Sequence, residues 1–101
     1  MKRIYTFGHE QVERNITVGD IISNKNDNIK MTQVTAANKE EAEIIANENI
    51  DMIITGSDWY EDVRKGAPNT FITAALFAGR FITNEEILRG AFDVMMAGAD
   101  S

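Results

Sequence analysis

The chain has 101 residues, of which 44% are hydrophobic and 26% are charged, and its formal net charge is -6. This composition is typical of one folded domain, because a disordered tail would have too little apolar content to offset its chain entropy. The negative charge argues against binding to nucleic acid or to an anionic membrane surface, since both would repel the chain. No run approaches the ~20 apolar residues of a membrane span, and the first residues lack the apolar core of a signal peptide. The chain contains no cysteine, which fits a reducing compartment, and we expect a soluble cytoplasmic protein.

The first 16 residues are compatible with two structures. Ile4, Tyr5 and Phe7 are mixed with polar residues, so this segment could pair as a short strand or lie over an opening of the fold. Beyond it, helical and strand patterns alternate without a linker or a low-complexity tract. We therefore predict an N-terminal segment at 1–16 and a single folded domain at 17–101.

Three capping patterns predict the starts of helices, because in each an acidic residue follows a capping residue by three positions. The pairs are Thr17 and Asp20, Asn38 and Glu41, and Thr83 and Glu86. Apolar residues at helical spacing predict the buried faces of these helices. They are Val18, Ile21 and Ile22 in the first, Ala42, Ile45 and Ala46 in the second, and Ile87, Leu88, Ala91, Val94 and Met95 in the third. Gly98 is placed to follow the end of the third helix.

A further short helix is expected between the last two strands. Ser57 or Asp58 can cap it, and it should run through Val63. Gly66, by left-handed backbone geometry, and Pro68, by its missing amide hydrogen, are expected to end it.

Apolar runs at 30–36, 52–55 and 70–77 predict three strands. Continuous apolar runs are typical of strands covered on both faces, as parallel strands are. Strands that alternate with helices imply a parallel sheet joined by right-handed crossovers. The predicted fold class is therefore α/β.

Two blocks of this sequence resemble ketopantoate hydroxymethyltransferase. The first block, KMTQVTAANKEEAEIIANENIDMIITGSD, is similar to that family's strand ending in TAYD, its following helix and its AGIDMILVGDS. The second block, KGAPNTFITAALFAGRFITNEEILRGAFDVMMAGADS, is similar to the family's RGAP, then VVADLPF, then a helix ending in EAGADAVKLEGG. The resemblance covers residues 17–101, and the motifs follow one another in the same order as in the family. The connection between the two blocks is shorter than the one in the family.

This resemblance implies a partial (β/α) barrel of the phosphoenolpyruvate/pyruvate superfamily, truncated to about the first three or four βα units, because a complete barrel needs ~250 residues. The family transfers a hydroxymethyl group from methylenetetrahydrofolate to a 2-oxo acid, with Mg²⁺ polarising the oxo acid toward its enolate. By that resemblance Ser57 and Asp58 would bind the 2-oxo acid, and Asp58 would also ligate Mg²⁺.

The chain departs from the family at several functional positions. Ser57 and Asp58 transpose the family's GDS, which leaves Asp58 one residue out of register. Ala75 replaces a metal-binding aspartate, while Ala37 and Asn38 replace the tyrosine and aspartate of TAYD. The family's later lysine and glutamates, including the catalytic base, would lie beyond residue 101. Because Mg²⁺ needs hard oxygen ligands, we expect severely weakened metal binding, no catalytic residue and no activity in this chain.

Other interpretations stay open beside these. Ser57 and Asp58 could be helix caps alone, and Trp59 and Tyr60 could line a pocket or pack under a loop. His9 has no partner at metal-ligand or triad spacing, so a surface role is expected.

Two functions follow from the sequence. The first is a hydroxymethyltransferase-like protein or fragment, and the alternative is a non-catalytic module for small-molecule binding or oligomeric assembly. Because three parallel strands leave uncovered edges and apolar surface, we expect a homo-oligomer. The alternative is an open three-layer sandwich in which the N-terminal segment adds a strand.

Overall fold

The structure is a computed structural model that describes residues 1–77, 79 and 81–101. Its strands are β1 (Lys2–Tyr5), β2 (Gln11–Arg14), β3 (Gln33–Thr35), β4 (Met52–Gly56) and β5 (Phe71–Ala75). Its α-helices are α1 (Val18–Asn26), α2 (Lys39–Ala46), α3 (Tyr60–Gly66) and α4 (Asn84–Met96), and a 3₁₀ turn at Ser57–Trp59 precedes α3. No helix in this described part of the chain has both the length and the apolar character needed to cross a bilayer.

The three central strands form a parallel sheet in the order β3-β4-β5. Val34 pairs with Ile53, and Ile53 pairs with Ile72 on its other side. The predicted parallel arrangement is therefore confirmed, and the chain folds as a small α/β domain. β3 and β5 are shorter than their apolar runs, because only residues 33–35 and 71–75 pair with the central strand.

The N-terminal segment folds as a separate antiparallel hairpin of β1 and β2. Asn15, just after the hairpin, binds the amino ends of the central strands. Its backbone amide donates to the Asn69 carbonyl (2.8 Å), its Nδ2 donates to the Asp51 carbonyl (2.8 Å), and its Oδ1 accepts from the Phe71 amide (2.9 Å). The segment thus forms strands of its own beside the amino ends of the sheet. The segment therefore supplies strands, as one of the two interpretations expects, but in a sheet separate from the parallel one.

One face of the parallel sheet is covered by helices. Ile53 and Ile72, neighbours across β4 and β5, are fully buried against Ala42 of α2 and Val63 of α3. Val94 of α4 packs at the margin of the same cluster. The three helices that follow β3, β4 and β5 therefore share one layer.

The three predicted helix caps are confirmed. The side chains of Thr17, Asn38 and Thr83 accept hydrogen bonds from the backbone amides three residues later. Each bond satisfies an amide that the first helical turn leaves without a partner. In α1 the Asp20 carboxylate also accepts from the Thr17 amide (2.9 Å), and its ion pair with Lys2 holds the pKa of Asp20 below its usual range.

Two positions require glycine for different structural reasons, Gly98 for its backbone conformation and Gly66 for a close contact between helices. Gly98 follows the end of α4 with φ +108°, which is the left-handed geometry that the sequence predicts there. Gly66 lacks the predicted positive φ, so that prediction is wrong. A Cβ at Gly66 would lie 2.2 Å from the Lys39 carbonyl oxygen, which shows that the close contact of α2 with α3 requires glycine.

The burial predicted for α4 is confirmed only in part, because Val94 packs against the core whereas Leu88 and Met95 are exposed. None of its residues is fully buried, and Leu88 is 70% exposed and Phe92 53% exposed. Helical periodicity identifies an apolar face, but it does not reveal whether another element covers that face. We name the exposed side chains of Leu88, Phe92, Met95 and Met96 the α4 stripe.

Candidate functional site at the carboxyl ends of the strands

The carboxyl ends of the three parallel strands lie side by side and form a rim. Thr35, Gly56 and Ala75 are the last residues of β3, β4 and β5, and Gly56 pairs directly with Ala75. Ligands of open α/β sheets bind at this edge. Ser57 and Asp58 follow Gly56 directly in the 3₁₀ turn, so both predicted site residues lie at the rim.

Neither Ser57 nor Asp58 occupies a helix-capping position. The N-cap residues of the 3₁₀ turn and of α3 are Gly56 and Trp59, and neither makes a side-chain capping bond. The interpretation of Ser57 and Asp58 as caps is therefore wrong. Ser57 is half-buried and Asp58 is exposed.

A cleft of about 200 Å³ lies at the rim and is mainly apolar. Its lining residues are Thr35, Ile54, Thr55, Gly56, Trp59, Ala75 and Phe77. Ser57 and Asp58 are not among them, and none of these described lining residues carries a positive charge. A 2-oxo acid carries a carboxylate that needs a cation or several hydrogen-bond donors, so the lining matches this ligand poorly.

Two aromatic rings close over the end of β4. The rings of Trp59 and Phe77 meet edge to face with their centroids 5.8 Å apart. A Cβ at Gly56 would lie 2.5 Å from Cε2 of Phe77, so the Phe77 ring rests directly on this glycine. Tyr60, by contrast, is buried in the core. The sequence is compatible with a pocket or a packing role for both aromatic residues. In the structure Trp59 lines the cleft at the rim, whereas Tyr60 packs in the core.

The rim does not fit a Mg²⁺ site. Within residues 1–77, 79 and 81–101 there is no cluster of three or more aspartate, glutamate, histidine or cysteine side chains that could hold a metal ion. Ala75, which the resemblance aligns with a metal-binding aspartate, has no side-chain oxygen atom. Mg²⁺ is usually bound by one or two carboxylates together with substrate and water, and the residues described directly after the end of β4 include a single carboxylate, that of Asp58.

His9, the only histidine, is exposed in the turn of the N-terminal hairpin. It has φ 64°, and its backbone amide donates to the Thr6 carbonyl (2.9 Å). This position agrees with the predicted surface role.

A buried ionic cluster joins the N-terminal hairpin to the sheet. Asp100 accepts from Nε of Arg14 (2.8 Å) and from Nη2 of Arg64 (2.8 Å), and it also accepts from the Ile72 amide (3.0 Å). The side chains of Asp100 and Arg14 are 4% and 3% exposed. We name Arg14, Arg64 and Asp100 the Asp100 cluster.

The remaining donors of both arginines are bound inside the protein. Arg14 donates to the carbonyls of Pro68 and Gly98, and Arg64 donates to the Thr70 carbonyl (2.6 Å) and to the Tyr60 hydroxyl (2.9 Å). Burial raises the pKa of Tyr60, while the bond from Arg64 opposes this shift. Because these donors already have acceptors, the cluster stabilises the fold and does not offer an anion site.

No local sequence pattern indicates this cluster. Arg14 and Arg64 lie 86 and 36 positions from Asp100, so no local spacing relates them. The apolar run at 70–77 predicts that Phe77 belongs to a strand, but β5 ends two residues earlier, at Ala75.

Comparison of the chain with protein-family models, with curated proteins and with solved structures gave no match. The fold and the rim define a small α/β domain with a three-stranded parallel sheet and an apolar cleft at its carboxyl edge. Its function has to be inferred from its own surfaces.

Proposed function

We propose that this chain is a non-catalytic assembly module, a partial (β/α) barrel of the ketopantoate hydroxymethyltransferase type that associates with further copies of itself. The observation that carries the proposal is the apolar surface that the single chain leaves exposed. Four neighbouring side chains of the α4 stripe are between 36% and 70% exposed. Apolar patches of this kind on soluble proteins mark interaction surfaces.

The total accessible surface supports the same conclusion. The chain exposes 6717 Å², whereas a monomeric protein of 11.3 kDa is expected to expose about 5,700 Å². The difference, roughly 1,000 Å², is comparable to the ~800 Å² that each partner buries in a standard protein interface. The radius of gyration of 13.7 Å also exceeds the roughly 12.7 Å expected for this length.

The edge of β5 supports the barrel architecture. The Asp100 amide donates to the Ile72 carbonyl (3.0 Å), and the Ala74 amide donates to the Ser101 carbonyl (2.9 Å). Residues 99–101 thus lie along β5 on the side away from β4, where the next strand of a barrel would pair. Together with the order β3-β4-β5, this matches the strand sequence that the resemblance implies.

Sedimentation velocity of the purified chain tests the assembly. We expect the wild type to sediment as a dimer or larger species, and the double variant Leu88→Glu with Phe92→Glu to sediment as a monomer, because two carboxylates in the interface would lose their hydration. Lys30→Glu is the matched control, since it changes the net charge by the same amount at an exposed residue outside the stripe. A monomeric wild type, or a double variant that assembles as well as the control, would refute the proposal.

We also expect the family's ligands not to bind at the rim. Trp59 is the only tryptophan and lies in the cleft, so its fluorescence reports on binding there. Addition of 2-oxoisovalerate, with or without Mg²⁺, should leave this fluorescence unchanged, because the described residues that line the cleft include neither a cationic side chain nor a carboxylate. A saturable change that requires Mg²⁺ and is lost in Asp58→Asn would instead favour a Mg²⁺-dependent, hydroxymethyltransferase-like protein that binds the 2-oxo acid at Ser57 and Asp58.

A further inference from the structure

A cavity of about 420 Å³ lies between the N-terminal hairpin and the amino end of β5, and we name it the hairpin cavity. Residues 4–7 of the hairpin and residues 16–19 at the start of α1 line it, together with Phe71, Ala99 and Asp100, whose side chains are buried. Phe71 is the first residue of β5, so the cavity lies at the opposite end of the sheet from the rim. Its volume is within the range of about 300–1,000 Å³ that is typical of small-molecule sites.

The hairpin is attached to the rest of the domain at two places, and the cavity has lining residues from both. After β1, the Phe7 ring meets the Phe92 ring edge to face with their centroids 5.4 Å apart. At the end of β2, Arg14 binds the carboxylate of Asp100. Phe7 and Asp100 both line the cavity. The hairpin therefore cannot move inward to fill this space without breaking one of these two contacts.

The lining favours a neutral ligand with an apolar body. Most of the lining side chains are aliphatic or aromatic, and none of the described lining residues is a lysine or an arginine. A ligand carboxylate or phosphate would lose its hydration there without meeting a cationic side chain. The amino end of α1 borders the cavity, but the Asp20 carboxylate already accepts from the Thr17 amide at that end (2.9 Å). Charged groups of either class are therefore disfavoured as the buried part of a ligand.

One buried oxygen atom of the lining has room for a further hydrogen bond. Asp100 is 4% exposed, and its Oδ2 accepts from Arg14, from Arg64 and from the Ile72 amide. Its Oδ1 accepts from Nε of Arg14 alone among the described residues (2.8 Å). A carboxylate oxygen can accept two hydrogen bonds, so Oδ1 can accept from one more donor. A hydroxyl group on a ligand would supply that donor without adding a charge.

We propose that the hairpin cavity binds a small neutral aromatic molecule that carries a hydroxyl group, and that this hydroxyl donates to Oδ1 of Asp100. The rings of Phe7 and Phe71 line the cavity and provide aromatic contacts for the body of the ligand. This site lies outside the rim, and ligand binding there does not depend on the proposed self-association.

Three probes with the same ring system test the chemistry of the site. They are 2-naphthol, 2-methylnaphthalene and 2-naphthoate, which differ only in carrying a hydroxyl, a methyl or a carboxylate group. In equilibrium dialysis against the wild type, we expect 2-naphthol to bind saturably at one site per chain. We expect 2-methylnaphthalene to bind at least about tenfold more weakly, because it cannot donate to the charged oxygen of Asp100. We expect no saturable binding of 2-naphthoate.

A variant that fills the cavity tests its position. Gly19→Leu adds a side chain at a lining residue of α1, and a Cβ there would make only an ordinary contact, 3.6 Å from Oγ1 of Thr17. Ser23→Leu is the matched control, because it adds the same side chain at an exposed residue of α1 outside the lining. We expect at least about a tenfold loss of 2-naphthol affinity in Gly19→Leu and wild-type affinity in Ser23→Leu. Circular dichroism verifies that both variants fold.

Several results would overturn this inference. They are 2-naphthol uptake that does not saturate, equal affinities for 2-naphthol and 2-methylnaphthalene, and a Gly19→Leu protein that binds 2-naphthol as tightly as Ser23→Leu does. If Gly19→Leu does not fold, the comparison of the three probes on the wild type still decides. Asp100 is not replaced in this test, because its loss would also disrupt the Asp100 cluster.

Discussion

Asp100→Asn is expected to destabilise the domain by about 3–5 kcal/mol, because removal of one partner from a buried ion pair leaves the opposite charge without compensation. Here two guanidinium groups lose the same carboxylate, and Arg14 is 3% exposed. Asparagine has nearly the same shape and can still accept one hydrogen bond, so the loss would be due to charge and not to a cavity. Since small domains have a total stability of roughly 5–15 kcal/mol, this single change could unfold a large fraction of the molecules.

Denaturant unfolding followed by circular dichroism measures this loss. Asp93→Asn is the matched control, because it makes the same chemical change at an exposed position of α4. We expect the control to unfold within about 0.5 kcal/mol of the wild type, as exposed substitutions usually do. An Asp100→Asn protein that unfolds at the same midpoint as Asp93→Asn would show that the Asp100 cluster does not hold the hairpin to the sheet.

Gly66→Ala is expected to cost about 1–3 kcal/mol or more, because the new methyl group overpacks the contact of α2 with α3. Its Cβ would lie 2.2 Å from the Lys39 carbonyl oxygen and 2.9 Å from the Ala42 Cβ. Both neighbours belong to helix backbone or to its first side-chain atom, so neither can move away without shifting α2. The usual gain from replacing glycine by alanine in a helix is smaller than this cost.

Thermal unfolding compares this variant with Gly79→Ala. A Cβ at Gly79 would meet no atom within 4 Å, which makes it a control for the same substitution without the contact. We expect a clear loss of melting temperature for Gly66→Ala and little change for Gly79→Ala. Equal melting temperatures for the two variants would mean that the helices are less closely packed than the structure indicates.

Local chemistry in the sequence predicts most of the backbone. The capping side chains of Thr17, Asn38 and Thr83 determine helix starts within a few residues, so neighbouring positions are enough to find them. The parallel sheet follows from apolar runs that alternate with helices. The position of the N-terminal hairpin is harder to predict from the sequence. Asn15 anchors the hairpin through contacts with residues 51, 69 and 71, which are distant in the chain.

Burial and the site depend on contacts that the sequence does not encode locally. The α4 stripe has the spacing of a buried face, yet α4 meets the core cluster along the side that carries Val94. The stripe itself is only partly covered, where the Phe92 ring meets Phe7 of the N-terminal segment edge to face.

The position of Ser57 and Asp58 at the rim follows from the sequence, because both residues come directly after the predicted end of β4. The cleft instead takes its shape from Trp59 and Phe77, whose contact depends on how the chain turns after β5.

Small-angle X-ray scattering over a concentration series in the micromolar range tests the self-association most directly. The proposed assembly predicts a scattering mass of at least twice 11.3 kDa and a radius of gyration clearly above the 13.7 Å of the single chain. A mass of 11.3 kDa with a radius close to 13.7 Å at every concentration would contradict it.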